Sequence, residues 1–309
     1  MTTLMFTHEV CVNHHTGDYH PESPDRLRAV HAVLDRDHFR ELVRREAPQA
    51  SREDIALVHE PAYVDTVLAA IPQEGHRHLD PDTVVSPASG EAALRGAGAV
   101  VAAVDAVVEG QSGDNAFCAV RPPGHHAERA RFMGFCLFNN VAVGALHARN
   151  AHGLQRAAVV DFDVHHGNGT QHMFETDKDL FYASSHQAPF YPGTGAASET
   201  GVGNIVNTPL AAGAGSVEFR AAYQNTILPA LRDFDPDILL ISAGFDAHAD
   251  DPLAQLQLRE DDFAWITREL LAVADECCGG RAVSALEGGY DLGALARSVD
   301  VHVRELMAA

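Results

Sequence analysis

The run Asp161-Phe162-Asp163-Val164-His165-His166 sets two carboxylates beside two imidazoles within six residues. Such side chains donate oxygen and nitrogen to a divalent cation and also move protons. A strand period of two would turn Asp161, Asp163 and His165 to one side. Asp246, which follows another apolar run, can complete a zinc site with Asp163 and His165. Three protein ligands leave a coordination position open, the pattern of a catalytic rather than a structural zinc. Any one of these residues alone reads as a capping aspartate or a satisfied core histidine; the set in this order does not.

His125-His126 follows Pro122-Pro123-Gly124, a rigid turn that aims the two imidazoles. Next to a metal-activated water they can serve as general base and general acid. Glu287-Gly288-Gly289-Tyr290 is a weaker signal, because glycine pairs are common. It could place a phenol where an oxyanion develops.

Chemistry of this kind needs a scaffold. Apolar, β-rich runs alternate with helical patterns, which predicts an α/β fold with a central parallel sheet flanked by helices. Strands are expected at Asn115–Val120, Ala157–Asp163, Leu180–Ser185, Ile238–Ala243 and Ala282–Leu286, with a first strand within Met1–Val12. Helices are expected at Pro87–Glu109, Asn139–Ala151, Val217–Phe234, Glu260–Cys278 and Leu292–Leu306, the first opened by Ser86-Pro87. Four of the strands run directly into the polar motifs, as ligand sites in parallel sheets do. Loops at Asn13–Ser23, Gly75–Ser86 and Gln187–Gly203 are too short to divide the chain, so residues 1–309 read as one catalytic domain.

Composition narrows the classes. Apolar residues make up 46% of the 309, enough for a large core. No run is long enough for a signal core or a membrane span, so a cytoplasmic protein is expected. The balance of 22 Lys+Arg against 43 Asp+Glu gives a charge of −21, which disfavours nucleic acid and suits cationic substrates. The five cysteines form no CxxC pair and read as buried thiols. Histidine, at 19 residues, is nearly as frequent as lysine and arginine together.

These motifs, with His20-Pro-Glu-Ser-Pro-Asp-Arg26, Gly134-Phe135-Cys136, Asn139-Asn140 and Tyr191-Pro-Gly-Thr-Gly195, give the chain a close likeness to one family. Over nearly its whole length it resembles the histone deacetylase superfamily, on the class II-like bacterial side. The resemblance implies the arginase/deacetylase fold and a zinc-dependent deacetylase. Zinc would sit on Asp163, His165 and Asp246. His125 and His126 would be the acid–base pair, Asp161 the support of the first, and Tyr290 the carbonyl-polarising tyrosine. A structural potassium would take Asp161, Asp163, His165, Ser184 and Ser185, largely through backbone carbonyls. Gly134 and Phe135 would line the acyl channel with Tyr191. Asp82 would lie at the rim, Leu253 at a gatekeeper position, and Arg26 near a cavity behind the zinc.

Asn168 stands where class I relatives carry aspartate, which leaves His126 without an anionic partner. Tyr191 replaces a frequent phenylalanine. Leu253 replaces the glutamate that polyamine-preferring relatives can carry, which favours acyl-lysine of a protein or peptide over an acetylated polyamine. The acyl chain length, iron in place of zinc, and the oligomeric state stay open at this stage. Rival readings are a silent acyl-lysine or metal-binding module, and a two-manganese hydrolase of the same fold. The first would have lost Tyr290 or a tandem histidine, and the second would carry further Asp and His ligands in their place.

Overall fold

A computed structural model describes residues 2–309 of the chain. The strands are β1 (Thr3–Thr7), β2 (Val43–Glu46), β3 (Arg77–His78), β4 (Val84–Val85), β5 (Asn115–Cys118), β6 (Ala157–Asp161), β7 (Leu180–Gln187), β8 (Ile205–Leu210), β9 (Ile238–Ala243) and β10 (Ala282–Leu286). Strands β3 and β4 form a small antiparallel hairpin. The other eight make one sheet in the order β2-β1-β5-β10-β9-β6-β7-β8, with every pairing parallel.

Register sets the site's level. Phe6 pairs with Cys118, Cys118 with Ala285, Ala285 with Ser242, Ser242 with Asp161, and Asp161 with Ser184. That line crosses the sheet near the carboxyl ends of its strands. The residues that follow it in each strand therefore emerge on one edge, where parallel sheets bind ligands. β5, β6, β9 and β10 are buried along their whole length, which explains their continuous apolar sequences.

Helices Ser89–Glu109 and Asn140–His152 pack on each other and on the central strands. Glu260–Cys278, Leu292–Ala308 and Pro24–Leu34 form a second packed group that touches β9 and β5. The two groups cover opposite faces, giving the expected three layers. Among the described residues no helix is long and apolar enough to cross a membrane.

Several boundaries differ from expectation. β6 ends at Asp161, so Asp163 and His165 lie in the turn beyond it. The first strand stops at Thr7 and a short helix, Glu9–Asn13, follows; Met1 lies outside the described residues. The Ser86-Pro87 helix start is also displaced. The helix begins at Ser89, and the Ser86 hydroxyl instead accepts from the His15 N–H. The Val217–Phe234 helix contains a π-helical turn at Tyr223–Ile227. Such turns widen the backbone and re-aim side chains, and this one carries Tyr223, whose hydroxyl lies 3.1 Å from Ser185 Oγ.

Candidate active site

Asp163, His165 and Asp246 converge beyond β6 and β9, with ligand atoms all within 4.8 Å of one another. His165 Nδ1 lies 3.0 Å from Asp163 Oδ1 and 3.1 Å from Asp246 Oδ2. Backbone N–H groups fix the carboxylates: Gly288 donates to Asp163 Oδ2 at 2.8 Å and Val164 to Asp246 Oδ1 at 2.9 Å. The cradle has no spare volume. A Cβ on Gly244 would lie 2.1 Å from Asp163 Oδ2, and one on Gly288 would lie 2.1 Å from Asp246 Oδ2.

Burial, and then the Asp163 charge, push the Asp246 carboxyl up to about 7. Burial works the same way on Asp163, but His125 and His165 outweigh it and hold that carboxyl well below the usual range. Two buried carboxylates side by side with one imidazole are costly without a cation between them. The donor set, the spacing and the glycine cradle fit zinc with a position left open.

His125 and His126 lie beside this cluster, their rings tilted by 44° with centroids 4.0 Å apart, and His125 Nε2 is 3.9 Å from Asp163 Oδ1. His125 Nδ1 faces Asp161 Oδ2 at 2.9 Å, and that oxygen also accepts from the Tyr182 hydroxyl at 3.0 Å. Burial opposes a charged His125, yet Asp161, Asp163 and Glu287 together raise it to about 10. A divalent cation among the same carboxylates would oppose that push. His126 goes the other way. Burial, and then the charges of His125 and His165, hold it well below its ordinary value.

The hydrogen-bond network also assigns the His126 tautomer. Asn168 Nδ2 donates to Glu128 Oε1 at 2.9 Å, so its amide oxygen faces His126 Nδ1, 2.8 Å away. An amide oxygen only accepts, so Nδ1 carries the proton and Nε2 keeps its lone pair. Asn168 thus leaves His126 without a directly bonded anion, and Glu128 is one amide further out.

The residues expected to line a channel lie near the paired imidazoles and Tyr290. The Tyr191 ring is edge-on to His126 at 5.2 Å, and Phe135 is edge-on to Tyr290 at 5.9 Å. Gly134 has φ +55°, and a Cβ there would lie 2.4 Å from His126 Cδ2, so only glycine lets this turn approach the imidazole so closely. A cavity of 540 Å³ opens beside them, lined by Asp80, Asp82, Glu128, Met133, Asn168 and Tyr191. Asp82 accepts from the Thr83 hydroxyl at 3.1 Å; burial and the adjoining Asp80 raise its carboxyl above the ordinary value.

Leu253 is half-buried and does not line that cavity. Its N–H donates to Asp251 Oδ1 at 3.0 Å, while Asp251 Oδ2 accepts from the Tyr290 N–H at 2.7 Å. Arg26, expected near a cavity behind the zinc, lies beside the Tyr290 turn. It is fully buried, donates from Nε to the Gly289 carbonyl at 2.6 Å, and sits 4.9 Å from the Tyr290 ring centroid. It braces the turn that carries Tyr290. Ser184 Oγ lies 2.9 Å from His186 Nδ1, and Ser184 pairs in register with Asp161. Of the expected potassium shell, the Ser184 carbonyl accepts from the Thr208 hydroxyl at 3.0 Å and the Asp161 carbonyl from the Tyr223 hydroxyl at 3.4 Å.

Other contributors were not singled out from sequence. Glu287 Oε2 accepts from the Gly124 and His125 N–H groups at 2.7 and 3.2 Å, tying the tandem-histidine turn to the end of β10. Glu22, fully buried, pairs with both Arg26 and Arg121. Both glutamates stand inside motifs already noted; Arg26 is four residues from Glu22, but Arg121 lies 99 residues from Glu22 and Gly124 lies 163 from Glu287, so local spacing hides those contacts. Four of the five cysteines are buried thiols as expected; Cys277 is half-buried.

An eight-stranded parallel sheet with an Asp–His–Asp cluster and paired histidines at its carboxyl edge is the frame of a metal-dependent hydrolase. The histone deacetylase domain model matches residues 20–306, and the chain belongs to that family. "Histone deacetylase 10, chloroplastic" of Oryza sativa is 41% identical over 92% of this chain and 69% of its own length. "Polyamine deacetylase HDAC10" of Homo sapiens is 40% identical over 93% of this chain, which spans 44% of that protein. The crystal structure of the HDA15 HD domain superposes with a TM-score of 0.93 at 36% identity, covering 99% of this chain and 88% of that one.

Proposed function

We propose that this deacetylase-family hydrolase is zinc-dependent and removes acetyl or related acyl groups from lysine side chains of peptides or proteins. The observation that carries the reading is the Asp163–His165–Asp246 cluster lying beside a neutral His126 whose Nε2 is free to accept a proton. Bound zinc would polarise the amide carbonyl and make water more acidic.

The chain's own residues do the rest. His126 Nε2 takes a proton from the attacking water, so hydroxide adds to the carbonyl carbon. His125, held in place by Asp161, presents its Nε2 side to the reacting centre and stabilises the negative charge that builds up there. Tyr290 donates its phenol proton as a hydrogen bond to the developing oxyanion; burial pushes that phenol well above its ordinary value, so it stays a donor. As the C–N bond breaks, His126 returns its proton to the leaving nitrogen and releases a carboxylic acid and an amine. Phe135 and Tyr191 flank the acyl chain. A potassium ion on the Asp161, Asp163, His165, Ser184 and Ser185 shell would stiffen the end of β6. The five free thiols suit a reducing compartment such as the cytoplasm.

An acetylated polyamine is the second reading. Asp80, Asp82 and Glu128 around the cavity favour a cation, whereas the apolar Leu253 offers no charge. The test is kcat/KM on an acetyl-lysine peptide and on acetylspermidine, each with Tyr290→Phe. Loss of one oxyanion donor should lower kcat by about 10²–10³ with little change in binding. Turnover within a few-fold of the parent would remove Tyr290 from the mechanism. A polyamine preference would keep the chemistry and reverse the substrate assignment.

A further inference from the structure

On the outer side of the Ser89–Glu109 and Asn140–His152 helix pair, Asp105, His147 and His152 bring three donor atoms within 4.8 Å of one another. His147 Nε2 and His152 Nε2 each lie 2.7 Å from the same oxygen, Asp105 Oδ1. The opposite ring nitrogen of His147, Nδ1, lies 3.3 Å from Asp54 Oδ1, on the short helix Arg52–Ile55. We propose that Asp105, His147 and His152 form a second, non-catalytic site for a divalent transition metal such as zinc, with Asp54 orienting His147.

Proton counting supports the assignment. Both nitrogens of His147 face carboxylate oxygens, which accept and do not donate. A neutral imidazole carries one proton, so it can meet only one of these oxygens by hydrogen bonding, and a metal on Nε2 would meet the other. With metal on Nε2 the ring is neutral, and Nδ1–H still donates to Asp54. This is the carboxylate–histidine–metal arrangement that fixes tautomer and ring orientation at built sites.

The packing supports it as well. The His147 and His152 side chains are 11% and 15% exposed, whereas Asp105 is 42% exposed. The imidazoles are thus held by the protein, and water can reach the fourth position from the Asp105 side. Tetrahedral bonds of about 2.0–2.1 Å place ligand atoms about 3.3 Å apart. Widening the 2.7 Å contacts by roughly 0.6 Å reaches that geometry. Bound metal would clip the two helices together and, through Asp54, fasten the helix Arg52–Ile55 to them.

The experiment is zinc stoichiometry of tag-free, chelator-stripped protein after dialysis against buffered zinc, with metal measured by mass spectrometry. The parent should hold two equivalents, and His152→Ala and Asp246→Ala one each. Asp54→Asn should weaken the second equivalent by about tenfold or more. Zinc should raise the melting temperature of Asp246→Ala but not of Asp246→Ala/His152→Ala. One equivalent in the parent, or a second equivalent that survives His152→Ala, would overturn the proposal. Should Asp246→Ala fail to fold, the comparison of parent with His152→Ala decides alone.

Discussion

Replacing Asn168 with aspartate isolates what the amide does for His126. The amide oxygen sits 2.8 Å from His126 Nδ1, and a carboxylate in its place would face the protonated ring directly. Two unit charges about 4 Å apart at an effective dielectric near 20 interact by about 4 kcal/mol. At about 1.4 kcal/mol per unit that is a rise of up to about three units in the His126 pKa. Glu128, now 2.9 Å from the Asn168 amide nitrogen, would meet the new carboxylate and cancel part of the effect. A net rise of about one to two units is expected. A general base works only when neutral, so the acidic limb of kcat/KM against pH should move upward by that amount and activity near pH 7 should fall. The assay is kcat/KM of zinc-loaded parent and Asn168→Asp from about pH 5.5 to 9. Adding Glu128→Gln should widen the displacement. An acidic limb that stays in place, or moves down, would show that His126 is not the base.

Three further outcomes follow from the same geometry. Gly134→Ala places a Cβ 2.4 Å from His126 Cδ2 at φ +55°, and should cost about 1–3 kcal/mol in urea unfolding and at least tenfold in kcat. Burial pushes the Glu22 carboxyl up, but Arg121, His14 and Arg26 outweigh it and hold the group well below the usual carboxylate range. A depressed folded value stabilises above the unfolded pKa of about 4.3 and fades as pH drops through the folded one. Glu22→Gln should therefore cost about 3–5 kcal/mol at neutral pH, and its deficit against the parent should shrink below about pH 4. Chelation should abolish activity and lower the melting temperature. Zinc at a thousandfold excess over Kd should restore about 4 kcal/mol, and a melting point indifferent to chelator would contradict the site.

The sequence announced the chemistry more clearly than its supports. β9, β10 and the helix Glu260–Cys278 match expectation to the residue, because long apolar or strongly periodic runs leave few alternatives. β2 did not stand out: Val-Arg-Arg-Glu is an exposed edge strand without an apolar signal. β8, the other edge, contains Pro209, which weakens a strand reading. The helix Pro24–Leu34 lies partly inside a motif read for its chemistry, and its pattern went unassigned. A strand period does not account for Asp163 and His165, since β6 ends at Asp161 and the turn beyond it aims them. The role of Arg26 was out of reach because its carbonyl partners lie more than 260 residues along the chain.

The strand order has a consequence for biosynthesis. Among the described strands β10 comes last along the chain, yet it lies between β5 and β9 in the middle of the sheet. Until residue 286 has emerged, the growing polypeptide holds two partial sheets, β2-β1-β5 and β9-β6-β7-β8, whose apolar inner edges lack a partner. Unpaired edges of that kind invite pairing with other chains. Tyr290 follows β10 within a few residues, so joining the halves and supplying the proposed oxyanion donor happen together. A ribosome-bound fragment that stops before β10 would lack both, and could not begin hydrolysis before its sheet is closed.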